Sequence, residues 1–159
     1  MITPNQEYGR RGQTIRGFVI HRPEGSFESA ESWIMSPKSQ VSYHDMIDTD
    51  GTITNFVMPK NTAWHAGLVK DGTADILKYG PNPNFYTIGI SLAGFAKDEP
   101  TQAQITACAK LISTYAENFN IQLDNNTIIP HHDIRADKLC PGVNVSIQTI
   151  LYLALLPQT

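Results

Sequence analysis

Thr87-Ile88-Gly89-Ile90-Ser91-Leu92-Ala93 is apolar or small at every position and carries no charge. It reads as a central strand, because a near-continuous apolar run needs cover on both faces. The clearest helix of the chain follows it. Thr101 and Gln104 match a capping box, and Ile105, Cys108, Leu111, Ile112, Tyr115 and Phe119 recur at helical spacing. On that face Cys108 is a small core residue. Thr127 to Ile129 then reads as a short strand leading into His131, and Asn144 or Ser146 caps a final helix through Leu155.

Upstream, Ile15 to Ile20 reads as a buried strand that ends at His21, and Pro23 and Gly25 turn the chain after it. Ser29 to Met35 suggests a short helix closed by Pro37. Val41 to Ile47 and Ile53 to Val57 form a hairpin pattern around Asp48-Thr49-Asp50-Gly51. Residues 66–86 lack periodicity, and a loop of that length in a compact domain is often a functional rim. Residues 1–14 are polar and irregular and read as an extended N-terminal arm. The expected fold is α/β: a single domain over 1–159 with a mixed central β-sheet flanked by helices.

With 41% hydrophobic and 17% charged residues, the 159-residue chain buries a core and is not a disordered chain. A net charge of −3 argues against nucleic acid as partner, and Arg10, Arg11 and Arg16 read as plain solubility charge. The apolar run from Ile150 to Leu156 is too short to span a bilayer, so no membrane partner is expected. A monomer is expected. The start, MITPNQEYGRR, shows no apolar run and hence no secretory signal.

The chemistry concentrates in His131-His132-Asp133-Ile134 and Lys138-Leu139-Cys140-Pro141-Gly142. Imidazoles, a thiol, a carboxylate and an amine within one loop are the groups that bind transition metals and move protons. Zinc takes at least three protein ligands, so a third must come from elsewhere. His21 is the candidate: it ends one strand as His131 follows another, and strand ends of α/β sheets gather at one crevice. Two imidazoles and one thiolate make a three-ligand catalytic pattern with a fourth position open. On spacing alone, scattered structural histidines remain an alternative.

Five segments in order decide between these readings. Phe18-Val19-Ile20-His21, Val41-Ser42-Tyr43-His44 with Asp50-Gly51-Thr52-Ile53, Ala63-Trp64-His65-Ala66-Gly67, Thr87-Ile88-Gly89-Ile90, and the His131–Gly142 segment together resemble the zinc-dependent N-acetylmuramoyl-L-alanine amidases. That family includes T7 lysozyme and the peptidoglycan recognition proteins. The resemblance runs from about residue 15 to 155 and implies the amidase/peptidoglycan-recognition-protein-like fold.

It also implies Zn2+ as cofactor, held by His21, His131 and Cys140, with bacterial peptidoglycan as partner. The implied reaction is hydrolysis of the amide joining N-acetylmuramic acid to L-alanine of the stem peptide. Zinc lowers the pKa of bound water toward about 7 and polarises the carbonyl, and the oxyanion that forms needs a donor. By resemblance Lys138 and Tyr43 are catalytic, Lys138 as that donor and Tyr43 as a hydrogen-bonding hydroxyl. By the same resemblance His65 is a substrate-contacting or proton-handling residue, and Trp64 is expected to contact substrate. His132 and His44 are expected to lie outside the site. Ser91 stands where one branch of the family carries a glutamate, and a serine cannot act as a carboxylate base.

The resemblance suggests a phage endolysin, made in the cytoplasm of the producing cell and acting on the wall after release. A non-catalytic peptidoglycan-binding module is the alternative. Members of that kind lose the cysteine ligand, and Cys140 is present. An interaction protein built on the same fold is a third class, with no identifiable surface in the sequence.

Overall fold

The computed structural model describes residues 1–157, so the last two positions of the expected domain, Gln158 and Thr159, lie outside the described residues. The regular elements, in chain order, are β1 (Gln6–Glu7), β2 (Gly17–His21), α1 (Phe27–Met35), β3 (Asp45–Ile47), β4 (Ile53–Asn55), β5 (Thr62–Ala63), β6 (Thr87–Leu92), α2 (Gln102–Phe119), β7 (Ile128–Pro130) and α3 (Ile147–Leu155). Short 3-10 turns cover Asp75–Tyr79, Pro83–Phe85 and His131–Asp133. The five-stranded sheet runs β4-β3-β6-β2-β7. Its parallel pairs are β3 with β6, β6 with β2, and β2 with β7, while edge strand β4 pairs antiparallel to β3. The mixed sheet expected from the sequence is therefore present, with β6 at its centre.

Alternation along the strands sorts the two faces. Phe18, Ile20, Ile88, Ile90 and Leu92 join Ile105, Cys108 and Ile112 of α2 and Ile150 and Ala154 of α3 in the main core. The intervening residues, Val19 and His21 on β2 and Thr87, Gly89 and Ser91 on β6, face the other way. On that side Val19 packs with Ala66, Ile76, Tyr86, Ile129 and Ile134, and α1 closes over Tyr43, Met46 and Phe56. One face is thus closed by the long α2 and the shorter, strongly apolar α3. The other is closed by loops and the short α1, and it carries the polar residues.

The helices start where their caps dictate. Thr101 and Gln104 form the reciprocal capping box, and Ser146, not Asn144, caps α3 by accepting from Thr149 N. α1 begins at Phe27, two residues before the expected Ser29, because Ser26 Oγ accepts from Ser29 N. The first hairpin arm is shorter than its apolar pattern: Val41 to His44 lie ahead of β3, in a non-strand segment.

The N-terminal segment differs most from expectation. Part of residues 1–14, expected as an extended arm, is packed against the domain: β1 pairs with β5, and Thr3 and Asn5 are buried. Thr3 Oγ1 and Asn5 Nδ2 donate to Ile34 O, and Asn5 Nδ2 also donates to Ser36 O. They satisfy carbonyls that the end of α1 leaves without intrahelical partners. Arg10 is not solubility charge. Its buried guanidinium donates to Pro59 O, Asn84 O, Phe85 O and Thr87 O. Arg11 does match the surface reading, in an exposed pair with Glu7, and Arg16 lies over the Tyr79 ring. Polarity misleads at Arg10 because composition does not show which buried carbonyls need a donor.

Candidate metal centre

His21 is the last residue of β2, and His131 follows the last residue of β7. Because Ile20 and Pro130 are register partners, the two imidazoles emerge side by side, with ring centres 4.6 Å apart. Cys140 reaches the same point from the following loop. Its sulfur lies 3.7 Å from His21 Nδ1, and one ligand atom from each of the three residues lies within 4.8 Å of the others. Two tetrahedral zinc ligands, one nitrogen and one sulfur, sit about 3.6 Å apart at ordinary bond lengths. The donor set and the spacing both fit zinc.

Backbone contacts hold this loop in place. His132 N donates to Cys140 O, and Arg22 N lies 3.2 Å from Cys140 Sγ. Gly142 has φ +94°, and a Cβ there would fall 2.0 Å from Ala96 O. Only glycine lets the loop press this closely on the segment after β6.

Behind the metal position lies the Trp64-His65-Ala66-Gly67 loop. His131 Nε2 lies 3.0 Å from Ala66 O, and His21 Nε2 lies 3.0 Å from His65 Nδ1. The loop is pinned by Asn84, whose Oδ1 accepts from both His65 N and Ala66 N at 3.1 and 2.8 Å, and by Ser42 Oγ, which accepts from Trp64 N.

A cleft of about 640 Å³ opens over the centre. All seven residues singled out from the sequence, His21, Tyr43, Trp64, His65, His131, Lys138 and Cys140, line it. Their exposure differs: Lys138 is exposed and Trp64 half-buried, while His65 is only 5% exposed and lies at the back of the cleft. Burial, with the neighbouring imidazoles, holds His21 and His65 well below the usual histidine range, and burial lowers His131 as well. Burial pushes the Cys140 thiol up to about 11, so a metal must displace its proton on binding. Burial also raises the Tyr43 phenol far above neutrality; at neutral pH it is a hydrogen-bond donor and not a base.

Neither His44 nor His132 lines the cleft. His132 is exposed beside Asp133. His44 is fully buried, its Nδ1 accepting from Gly89 N. Several lining residues carried no signal in the sequence. Trp33 of α1 is 57% exposed and lines the cleft together with Trp64. Glu24 is the one carboxylate among the lining residues, with Oε1 accepting from Ala96 N. Arg22 is buried, and among the described residues its Nε and Nη2 have no hydrogen-bond partner. Ser91 is the register partner of His21, and its buried hydroxyl lies beside the Tyr43 phenol. Among the described residues no helix is long and apolar enough to cross a membrane.

Residues 11–143 match the family model described as N-acetylmuramoyl-L-alanine amidase. N-acetylmuramoyl-L-alanine amidase A of Achromobacter lyticus is 33% identical over 110 residues, 67% of this chain and 54% of that one. The chain therefore spans about half the length of that relative. A crystal structure of a selenomethionine AmpD derivative superposes with a TM-score of 0.78 at 22% identity, covering 96% of this chain and 92% of that chain. The E. coli amidase AmiD, solved with the substrate anhydro-N-acetylmuramic acid-L-Ala-D-gamma-Glu-L-Lys, superposes with a TM-score of 0.70 at 24% identity, covering 87% and 57%. The structural likenesses establish a shared fold.

Proposed function

The chain belongs to the N-acetylmuramoyl-L-alanine amidase family, and on that premise we propose that it hydrolyses the amide between N-acetylmuramic acid and the L-alanine of the peptidoglycan stem peptide, with zinc held by His21, His131 and Cys140. The observation that carries this reading is the convergence of those three side chains, within 4.8 Å of one another, on the floor of an open cleft. When bound there, zinc supplies a Lewis acid for the carbonyl and lowers the pKa of water toward about 7.

The remaining work falls to side chains of this chain. The exposed Trp33 and the half-buried Trp64 offer flat apolar surfaces along which a sugar-peptide can lie. Tyr43, kept protonated by burial, lines the cleft as a hydrogen-bond donor; its ring centre is 5.2 Å from that of His21. The Lys138 ammonium lies at the rim, two residues before Cys140, and supplies a second donor for the negative charge that develops on the carbonyl oxygen. With Ser91 in place of a carboxylate, stabilisation of that charge rests on Tyr43 and Lys138.

The test is incubation with purified sacculi and measurement of new L-alanine amino termini, with a chelator and then zinc added back. Release that the chelator abolishes and zinc restores is expected. Binding to sacculi with no release, or new reducing sugars in place of amino termini, would overturn the reading. Tyr43→Phe should keep its zinc and lose rate by ~10²-fold.

A further inference from the structure

The Trp64-His65-Ala66-Gly67 loop supplies the acceptors for both ligand histidines, and the hydrogen positions follow from which atoms can only accept. Ala66 O, a carbonyl, accepts only, so His131 Nε2 carries the proton and Nδ1 is left with the lone pair. His21 presents Nδ1 toward Cys140 Sγ. To ligate through that atom it must carry its own proton on Nε2, which faces His65 Nδ1 at 3.0 Å. His65 Nδ1 must then be a bare acceptor, and the His65 proton sits on Nε2. That nitrogen faces Thr87 Oγ1 at 3.3 Å, and Thr87 Oγ1 donates to Pro83 O at 2.6 Å. The series ends on a carbonyl, so its direction is set throughout.

We propose that His65 is a positioning residue for the metal ligand His21: in a fixed Nε2–H tautomer it accepts the His21 Nε2 proton, with its own proton oriented by Thr87 and Pro83, so that Nδ1 of His21 is held ready for zinc. This rests on the zinc reading above. It gives His65 a different role from the substrate contact expected from the sequence, since both ring nitrogens are engaged inside the protein.

Gly89 supports the assignment independently. A Cβ at Gly89 would lie 2.4 Å from His65 Cγ. Glycine inside a central strand weakens it and marks a close approach; here the approaching group is the His65 ring. Two motifs separated in sequence, the Trp-His-Ala-Gly loop and the Ile-Gly-Ile strand, thus serve one contact.

Outer partners of ligand histidines are worth about 10–100-fold in metal affinity. Zinc titration against a competing chelator should show that loss for His65→Ala, a smaller loss for Thr87→Val, and rescue in Thr87→Ser. Melting curves of the metal-free proteins separate loss of fold from loss of affinity. Long-range proton–nitrogen correlation spectra of the zinc-loaded wild type should show His65 protonated on Nε2 only, and this reading needs no variant to fold. A wild type that binds no zinc would overturn the zinc reading and this proposal together. A wild type that binds zinc, with His65→Ala folded and equally tight or with His65 protonated on Nδ1, would overturn the proposal and leave the zinc reading standing.

Discussion

His44 and His65 are both buried, both press on Gly89, and their rings lie 5.7 Å apart. Burial disfavours the charged form of each: with the Arg10 guanidinium it pushes His44 down to about 3, and with the neighbouring imidazoles and Arg10 it holds His65 well below the usual range. Their partners separate them. His44 takes the Gly89 N–H and lies beside Asn61 O and the Arg10 guanidinium, all of them scaffold. His65 takes the second nitrogen of a candidate metal ligand. Neither burial nor a depressed pKa marks a functional histidine here; what distinguishes His65 is the group at the far end of its hydrogen bond.

The sharpest way to break that contrast is to remove the thiolate. Cys140→Ser should lower zinc affinity beyond the ~100-fold that outer partners account for, measured by chelator competition; retained affinity would show that the ligand set is wrong. Gly89→Ala forces the His65 ring away from β6. It should cost ~1–3 kcal/mol of stability from overpacking and ~10–100-fold in zinc affinity, read from urea denaturation and the same titration. If it weakened stability alone, the contact between Gly89 and His65 would be packing only.

The helix-covered face offers a control free of metal. Burial raises Asp45 to about 6 despite hydrogen bonds from Asn55 and Tyr115. A carboxyl with a raised folded pKa favours the folded state fully below its unfolded value near 4, and that contribution is lost as pH rises through about 6. Relative to Asp45→Asn, the wild type should lose no more than about 3 kcal/mol between pH 4 and 7, with no change in zinc binding. Denaturation at several pH values checks this, and parallel pH profiles for the two proteins would contradict it. The mildest substitution is His44→Gln. It should cost ~1–2 kcal/mol by disturbing the bond to Gly89 N and leave zinc affinity as in the wild type; weakened zinc binding would erase the distinction between the two histidines.

The strands β2, β6 and β7 and the helices α2 and α3 are legible in the sequence, because apolar runs and a capping box are local signals. So are His21 and His131, since each follows an apolar strand. The N-terminal segment is not legible: the value of Thr3, Asn5 and Arg10 lies in distant carbonyls they satisfy, at Ile34, Ser36, Pro59 and Thr87. The same limit applies at the cleft. The sequence marks the loop around His65 as special through resemblance. That its neighbours are His21 and Thr87, and that Gly89 makes room for it, emerges only once β6 lies beside β2. Trp33 and Arg22 escape notice for the same reason, since a helix surface and a residue after a ligand look ordinary in one dimension.

The central claim is that His21, His131 and Cys140 hold one zinc ion. X-ray absorption at the zinc edge of the loaded protein tests it directly. Two imidazole nitrogens at ~2.0–2.1 Å and one sulfur at ~2.3 Å are expected, with the sulfur shell lost in Cys140→Ser. A shell of nitrogen and oxygen alone in the wild type would contradict the assignment of Cys140 and the mechanism built on it.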